Sequence, residues 1–193
     1  YRYGAVYEYT DPDYQVIGNP FLQNDREGFS LNAAANYPVH RLNMMFSQYN
    51  DNVDSDDLYA RTYTYQGQFS YMYSGFESLP LGLSYQKSIL ESTDEPEFSF
   101  PLKQDTDSIS GTISYARGAL NVGLQSGFSH QDDRTGQNND SDAVNHSLNA
   151  SYCFENLCIS PSASFNRAKY RLTGIRTDTT TATLDLRGRL WEN

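Results

Sequence analysis

Apolar and polar side chains alternate with a period of two along most of the chain, from Tyr1 to Trp191. In the segment 62–73, aromatic residues mostly occupy the odd positions, whereas Thr, Gln and Ser occupy most of the even ones. A period of two is typical of β-strands, because successive Cβ atoms point to opposite faces of the sheet. The pattern recurs about ten times, and each repeat is about as long as one strand.

Ten strands are predicted, and the connections between them alternate between short and long. The expected strands are 1–10, 28–37, 41–49, 59–73, 80–90, 108–116, 119–130, 143–153, 157–170 and 179–191. An up-and-down meander shows this alternation when its two ends face different environments, as in outer-membrane barrels. The predicted fold is therefore all-β: a single antiparallel up-and-down transmembrane β-barrel of about ten strands over 1–193, or a segment of a wider barrel.

Aromatic residues concentrate near both ends of the predicted strands. Those near the short connections are Tyr3, Tyr37, Tyr73, Tyr115 and Tyr152, and those near the long connections are Tyr9, Phe29, Tyr59 and Phe128. Two aromatic rings around an aliphatic band are typical of barrels that cross a membrane. The alternative is a soluble β-sandwich or barrel, whose core would have to bury many Tyr hydroxyls that each need a hydrogen-bond partner.

Composition and charge disfavour two classes of protein, namely nucleic-acid-binding proteins and membrane proteins that span with helices. The chain has 193 residues and a formal net charge of −10, which disfavours a nucleic-acid partner because a phosphate backbone would be repelled. No apolar run approaches the roughly 18–20 residues that a membrane-spanning helix needs. The chain starts in mid-pattern at Tyr1, so we expect a processed chain or a piece of a longer one.

The whole chain resembles Gram-negative outer-membrane β-barrel proteins, porin-like in its alternation, aromatic rings and unequal loops. Asp11-Pro12-Asp13-Tyr14 and Gly18-Asn19-Pro20-Phe21-Leu22 look like a first surface loop of such a barrel. The segment 184–191 partly resembles the terminal strand that the barrel assembly machinery recognises, although Glu192-Asn193 follow its aromatic residue. The resemblance implies a bacterial outer-membrane location, with outer-membrane lipid, lipopolysaccharide and the barrel assembly machinery as partners.

The polar face favours a barrel with an open lumen, because small inward side chains leave space inside it. The residues expected to line this lumen are Asn32, Asn43, Thr64, Gln66, Gln86, Thr112, Asn121, Gln125, Asn149 and Ser162. Uncharged donors and acceptors suit water, sugars or a threaded polar chain. We therefore predict an outer-membrane pore or conduit for small polar solutes or a polar chain, without a cofactor or enzymatic activity. The alternative is a structural or surface-interaction barrel that holds a partner protein.

Charged residues are expected mainly at the long connections. Acidic clusters at 51–57 and 94–97 could bind divalent cations, but neither has the full spacing of a calcium loop, so solvated loops and no metal site are predicted. Four basic residues fall on the apolar parity near the long connections: Arg61, Lys87, Arg167 and Lys169. They either extend to the membrane interface without a specific partner or bind phosphates of lipopolysaccharide.

Two residue pairs suggest specific chemistry. Cys153 and Cys158 flank a predicted tight turn, which predicts a disulfide, with two free thiols as the alternative. A regular hairpin would pair Ser126 with His146 on the apolar face, as in lipid-hydrolysing barrels. No carboxylate is clearly placed to orient His146, so a membrane-face lipid hydrolase is the third functional hypothesis.

Overall fold

The chain folds into ten β-strands joined in sequence order, in a computed structural model that describes residues 1–11, 25–137 and 139–188. The strands are β1 (Arg2–Thr10), β2 (Arg26–Asn36), β3 (His40–Asp51), β4 (Arg61–Tyr73), β5 (Leu81–Thr93), β6 (Lys103–Arg117), β7 (Leu120–Asp133), β8 (Ser141–Cys153), β9 (Leu157–Tyr170) and β10 (Arg176–Gly188). Each strand pairs antiparallel with the next, so the sheet runs from β1 to β10. Across these described residues there is no helix that could span a membrane.

The strand register separates the side chains into two faces. Gln86 lies opposite Gln68 and Ser108, whereas Tyr85 lies opposite Phe69 and Ile109. The polar face includes Ser84, Gln86, Ser108, Ser110, Gln125 and Asn145, and the apolar face includes Leu83, Tyr85, Ile109, Ile113, Leu124 and Leu148. The two faces persist along the sheet because the register keeps the period-two alternation of neighbouring strands in phase.

The apolar face is not covered by any other part of the described chain. No hydrophobic side chain is buried there, and Leu124 and Phe128 expose 46% and 45% of their surface. The buried side chains are polar instead, namely Ser47, Asn50, Asn52, Ser92 and Asp105. A soluble β-sandwich packs its apolar face against a second sheet. This fold therefore needs apolar surroundings outside the protein.

The edges of the sheet are β1 and β10, whose residues are almost all exposed. Within the described ranges these two strands make no contact with each other. Lipid offers no hydrogen bonds, so an edge strand within a membrane needs another strand as a partner. Whether the ten strands close on themselves or belong to a wider barrel stays a prediction.

Several strands extend further toward the long connections than the sequence predicts. β6 begins at Lys103 rather than at 108, β7 ends at Asp133 rather than at 130, and β8 begins at Ser141 rather than at 143. Those predicted boundaries were wrong because the acidic residues there have partners: Asp107 pairs with Lys87 on β5 and Asp142 with His130 on β7, whereas Asp133 bonds within its own connection. The predicted first surface loop falls mostly on 12–24, and Trp191 falls on 189–193, so both lie outside the described residues.

Candidate functional site

The strand register places all ten predicted lumen residues on the polar face. Asn32 and Asn43 border a concavity of about 390 Å³ on this face, and Gln86 and Gln125 border another of about 360 Å³. These concavities lie on the side of the sheet where a lumen would be. That the ten residues line a conducting lumen stays a prediction.

Local contacts determine how far the polar side chains project from the sheet. Hydroxyls bond across strands, with 2.7 Å between Oγ of Ser84 and Oγ of Ser110. Longer side chains lie over glycines of the neighbouring strand: Thr112 lies over Gly82, and Asn32 lies over Gly4. A Cβ atom at these glycines would come within 3 Å of the side-chain oxygen that lies across it, so that side chain would have to turn away from the sheet.

A belt of ion pairs lies on the apolar face, at the end of the sheet nearest the long connections. We call Lys87, Asp105, Asp107, His130, Asp142, Arg167 and Asp178 the charged belt. Nζ of Lys87 is 3.0 Å from Oδ2 of Asp107. Nδ1 of His130 is 2.8 Å from Oδ1 of Asp142, and Nε of Arg167 is 2.9 Å from Oδ1 of Asp178.

Three of the four basic residues predicted to face lipopolysaccharide already bond within the protein. The Arg61 guanidinium donates to the carbonyl oxygens of Asn52 and Val53 at 2.9 and 3.0 Å. Lys87 and Arg167 belong to the charged belt. In the described part of the chain, the side chain of Lys169 makes no hydrogen bond or ion pair. Lys169 is therefore the residue of this set with an ammonium group available to an external anion.

The predicted disulfide joins Cys153 and Cys158 at the end of the β8–β9 hairpin. The two residues lie directly opposite each other, with their Cα atoms 4.0 Å apart. The backbone N–H of Phe154 donates to the carbonyl of Leu157 at 2.7 Å and closes the turn. The register places the bridge on the polar face.

Ser126 and His146 are paired as the hairpin interpretation predicts. Oγ of Ser126 is 2.9 Å from Nδ1 of His146, and the His146 ring stacks on Phe165 at 6.3 Å between ring centroids. Among the described residues, no carboxylate bonds to His146. Within the described residues, the pair therefore lacks the third group that orients the base in Ser–His catalysis.

Sequence reasoning missed a cavity of about 360 Å³ between the connections 94–102 and 134–140. We call it the mouth cavity, and its lining includes Phe100, Gln104 and Gln131. The signal that could have revealed it is Phe100, an aromatic residue that follows an acidic segment. No cluster of three or more potential metal ligands occurs in the ranges that the structure describes.

Asp133 organises one wall of the mouth cavity. Its carboxylate accepts hydrogen bonds from the backbone N–H groups of Thr135 and Asn139 at 2.9 and 3.1 Å. A hydrogen bond from the Thr135 hydroxyl, together with these two backbone bonds, lowers the pKa of Asp133 because all three stabilise the ionised form. Asp133 lies beyond the charged belt, outside the apolar band.

Comparison with known proteins supports the fold. No protein-family model and no curated protein sequence matches the chain. Similar solved structures include the ferric citrate transporter FecA in its unliganded form, with 14% identity and a TM-score of 0.56 over 86% of this chain. They also include outer-membrane expressed OmpT of Vibrio cholerae, with 17% identity and a TM-score of 0.61 over 84% of this chain. A third is in-vitro folded OmpT of Vibrio cholerae, in trimer form, with 16% identity and a TM-score of 0.56 over 83% of this chain.

The chain covers 34%, 56% and 54% of these three proteins, about a third to just over half of their length. The predicted fold class is confirmed: the chain has the antiparallel up-and-down fold of outer-membrane β-barrel proteins. The predicted outer-membrane location agrees with these neighbours, since both OmpT structures are of an outer-membrane protein.

Proposed function

We propose that this chain forms the wall of an outer-membrane pore, with a neutral hydrophilic lumen for small polar solutes or a polar chain. The observation that carries the proposal is the polar face, which from β4 to β9 consists mainly of Ser, Thr, Asn, Gln and Gly. Uncharged groups of this kind hydrogen-bond to polar solutes without holding them by charge.

The apolar face supports a position in the membrane. On β7 it runs from Leu120 to Phe128, and the charged belt follows at His130. At about 3.4 Å per residue and a tilt of about 40°, this band is roughly 21 Å tall. That height is close to the apolar band of about 25 Å in outer-membrane barrels.

Ion selectivity in a planar bilayer tests the pore directly. Gln125 borders a concavity of the polar face, so a charge there would alter the passage of ions. Gln125→Glu should shift the reversal potential toward cation preference and Gln125→Lys toward anion preference, while Gln125→Asn should leave it unchanged. An absence of current, or identical reversal potentials for all three variants, would contradict the pore.

A surface-interaction barrel is the second candidate. It is favoured by Phe98, whose side chain is 98% exposed within an acidic connection and therefore available to a partner protein. A folded, membrane-inserted chain that carries no current but captures a partner through this connection would favour this candidate over the pore.

Lipopolysaccharide is the lipid partner that the charges support best. Lys169 is near the long connections and has no partner in the described chain, so its ammonium group can pair with a phosphate of the surrounding lipid. The other three basic residues would contribute through positive charge near the membrane surface rather than through free donors.

A further inference from the structure

The mouth cavity combines an exposed aromatic ring with uncharged amide groups. Its apolar wall includes Phe100, which is 80% exposed, and Leu102. Its polar wall includes the side chains of Gln104, Gln131, Gln137 and Asn139. An exposed phenyl ring gains free energy when a ligand covers it, because apolar surface is then removed from water.

Two of the amides remain available to a ligand. Gln104 and Gln131 are on the polar face, at the ends of β6 and β7 nearest the cavity. Neither side-chain amide makes a hydrogen bond within the described residues. Each amide has a carbonyl acceptor and an NH₂ donor. Such groups match hydroxyls, which both donate and accept.

Both walls of the cavity are held in place before any ligand binds. Leu102 accepts a hydrogen bond from the Ser92 backbone at 2.8 Å and donates one to the Ser92 hydroxyl at 2.7 Å. The Asp133 carboxylate holds the opposite connection through Thr135 and Asn139. Preorganised walls lower the entropy cost of binding.

The charges around the cavity favour a neutral ligand. The lining contains one ammonium group, on Lys103, and one carboxylate, on Asp133, which already accepts hydrogen bonds within its own connection. Asp94, Glu95 and Glu97 on the other connection offset the positive charge of Lys103, so the charges around the cavity do not favour an anion. Sugars present hydroxyls for amides and a C–H face for an aromatic ring, and neutral sugars carry no charge to be repelled.

We infer that the mouth cavity binds neutral carbohydrate, with the Phe100 ring stacking on a sugar face and Gln104 and Gln131 bonding to hydroxyls. This inference rests on the proposed pore, since it names the class of solute that the pore receives. The site lies where the polar face meets the long connections, so a bound sugar would be at the entrance of the lumen.

Calorimetry on the full chain in detergent tests the site, with maltohexaose and cellohexaose as neutral probes and hexagalacturonate as an acidic one. At least one neutral probe should bind, and Phe100→Ala or the double variant Gln104→Ala/Gln131→Ala should weaken its binding by about tenfold. Phe76→Ala is the matched control, because it removes an exposed ring from the connection 74–80 at the other end of the sheet and should bind as the wild type does.

Three results would overturn the site: no binding of either neutral probe, tighter binding of hexagalacturonate, or equal binding by Phe100→Ala and Phe76→Ala. Bilayer current measured on the same preparation separates this inference from the pore. Current without sugar binding rejects the site and leaves the pore, whereas sugar binding without current supports the site and rejects the pore.

Discussion

The side-chain amide of Asn149 on β8 lies across Gly123 on β7, and a Cβ atom on Gly123 would be 2.6 Å from Oδ1 of Asn149. Asn149 is one of the predicted lumen residues, so this glycine lets a lining side chain lie flat along the wall. The same arrangement at Gly4 and Gly82 indicates that glycines on the polar face help to determine how far its side chains project from the sheet.

Gly123→Ala should lower the free energy of unfolding by about 1 kcal/mol, because Asn149 must turn away from the sheet. Urea titration in lipid vesicles measures this change. Gly67→Ala is the control, since its Cβ atom would meet nothing within 4 Å and stability should not fall. The double variant Gly123→Ala/Asn149→Ala should recover most of the loss; if it does not, the contact with Asn149 is not the cause.

Lys169→Gln should reduce the amount of lipopolysaccharide that co-purifies with the chain from outer membranes. Arg61→Gln should reduce it less, because the Arg61 guanidinium is already bonded to the Asn52 and Val53 carbonyls. The ratio of lipid A phosphate to protein after purification measures the difference. Equal losses for the two variants would show that a free ammonium group is not what retains the lipid.

At low pH, the amides of Thr135 and Asn139 in the connection after β7 should lose protection from hydrogen exchange. The lowered pKa of Asp133 means that its carboxylate stabilises the connection fully above the ordinary Asp pKa of about 4, and that this contribution is lost as the pH falls through the lowered value. Protection factors of the Thr135 and Asn139 amides in hydrogen exchange should follow this course. Asp133→Asn should weaken protection at every pH, and a loss of wild-type protection already near neutral pH would refute the assignment.

Reduction of the disulfide should destabilise the β8–β9 hairpin. Cys153 and Cys158 are five residues apart, so the bridge closes a short loop and contributes about 2 kcal/mol. Unfolding with and without reductant measures this contribution. The variant Cys153→Ser/Cys158→Ser should match the reduced wild type and should not respond to reductant.

Phe98 has a backbone φ of 72°, a left-handed conformation that is unfavourable for a residue with a bulky side chain. Phe98→Gly should relieve about 1 kcal/mol of strain. It should therefore increase protection of the Ser99 amide, which donates to the Pro96 carbonyl at 3.0 Å. Phe98→Ala also removes the ring but keeps the backbone strain. In this variant, hydrogen-exchange protection of the Ser99 amide should stay close to that of the wild type.

The faces of the strands could be predicted from the sequence, whereas several strand ends could not. Side-chain parity is a local property of the backbone, and it placed Gln86, Gln125 and Asn149 on the polar face. Asp105 and Asp107 look like loop residues because they are charged. They belong to β6 because Lys87 on β5 and Arg134 beyond β7 pair with them, which only the register reveals.

Part of the candidate site was also predictable. The Ser126–His146 contact follows from a regular hairpin, because the register of two adjacent strands follows from the connection between them. The mouth cavity was not predictable, because it forms where two connections that are far apart in sequence come together. Such a meeting depends on the curvature of the sheet and on loop conformation rather than on any local pattern.

The charged belt has a consequence for where this protein can reside. Its ion pairs limit how far the apolar face can extend into hydrocarbon, since a charge costs several kcal/mol at the middle of a bilayer and little at its surface. A thicker bilayer would draw these pairs into lipid, and a thinner one would leave aliphatic side chains in water. The spacing between Leu120 and His130 thus sets the hydrocarbon thickness that this part of the sheet matches best.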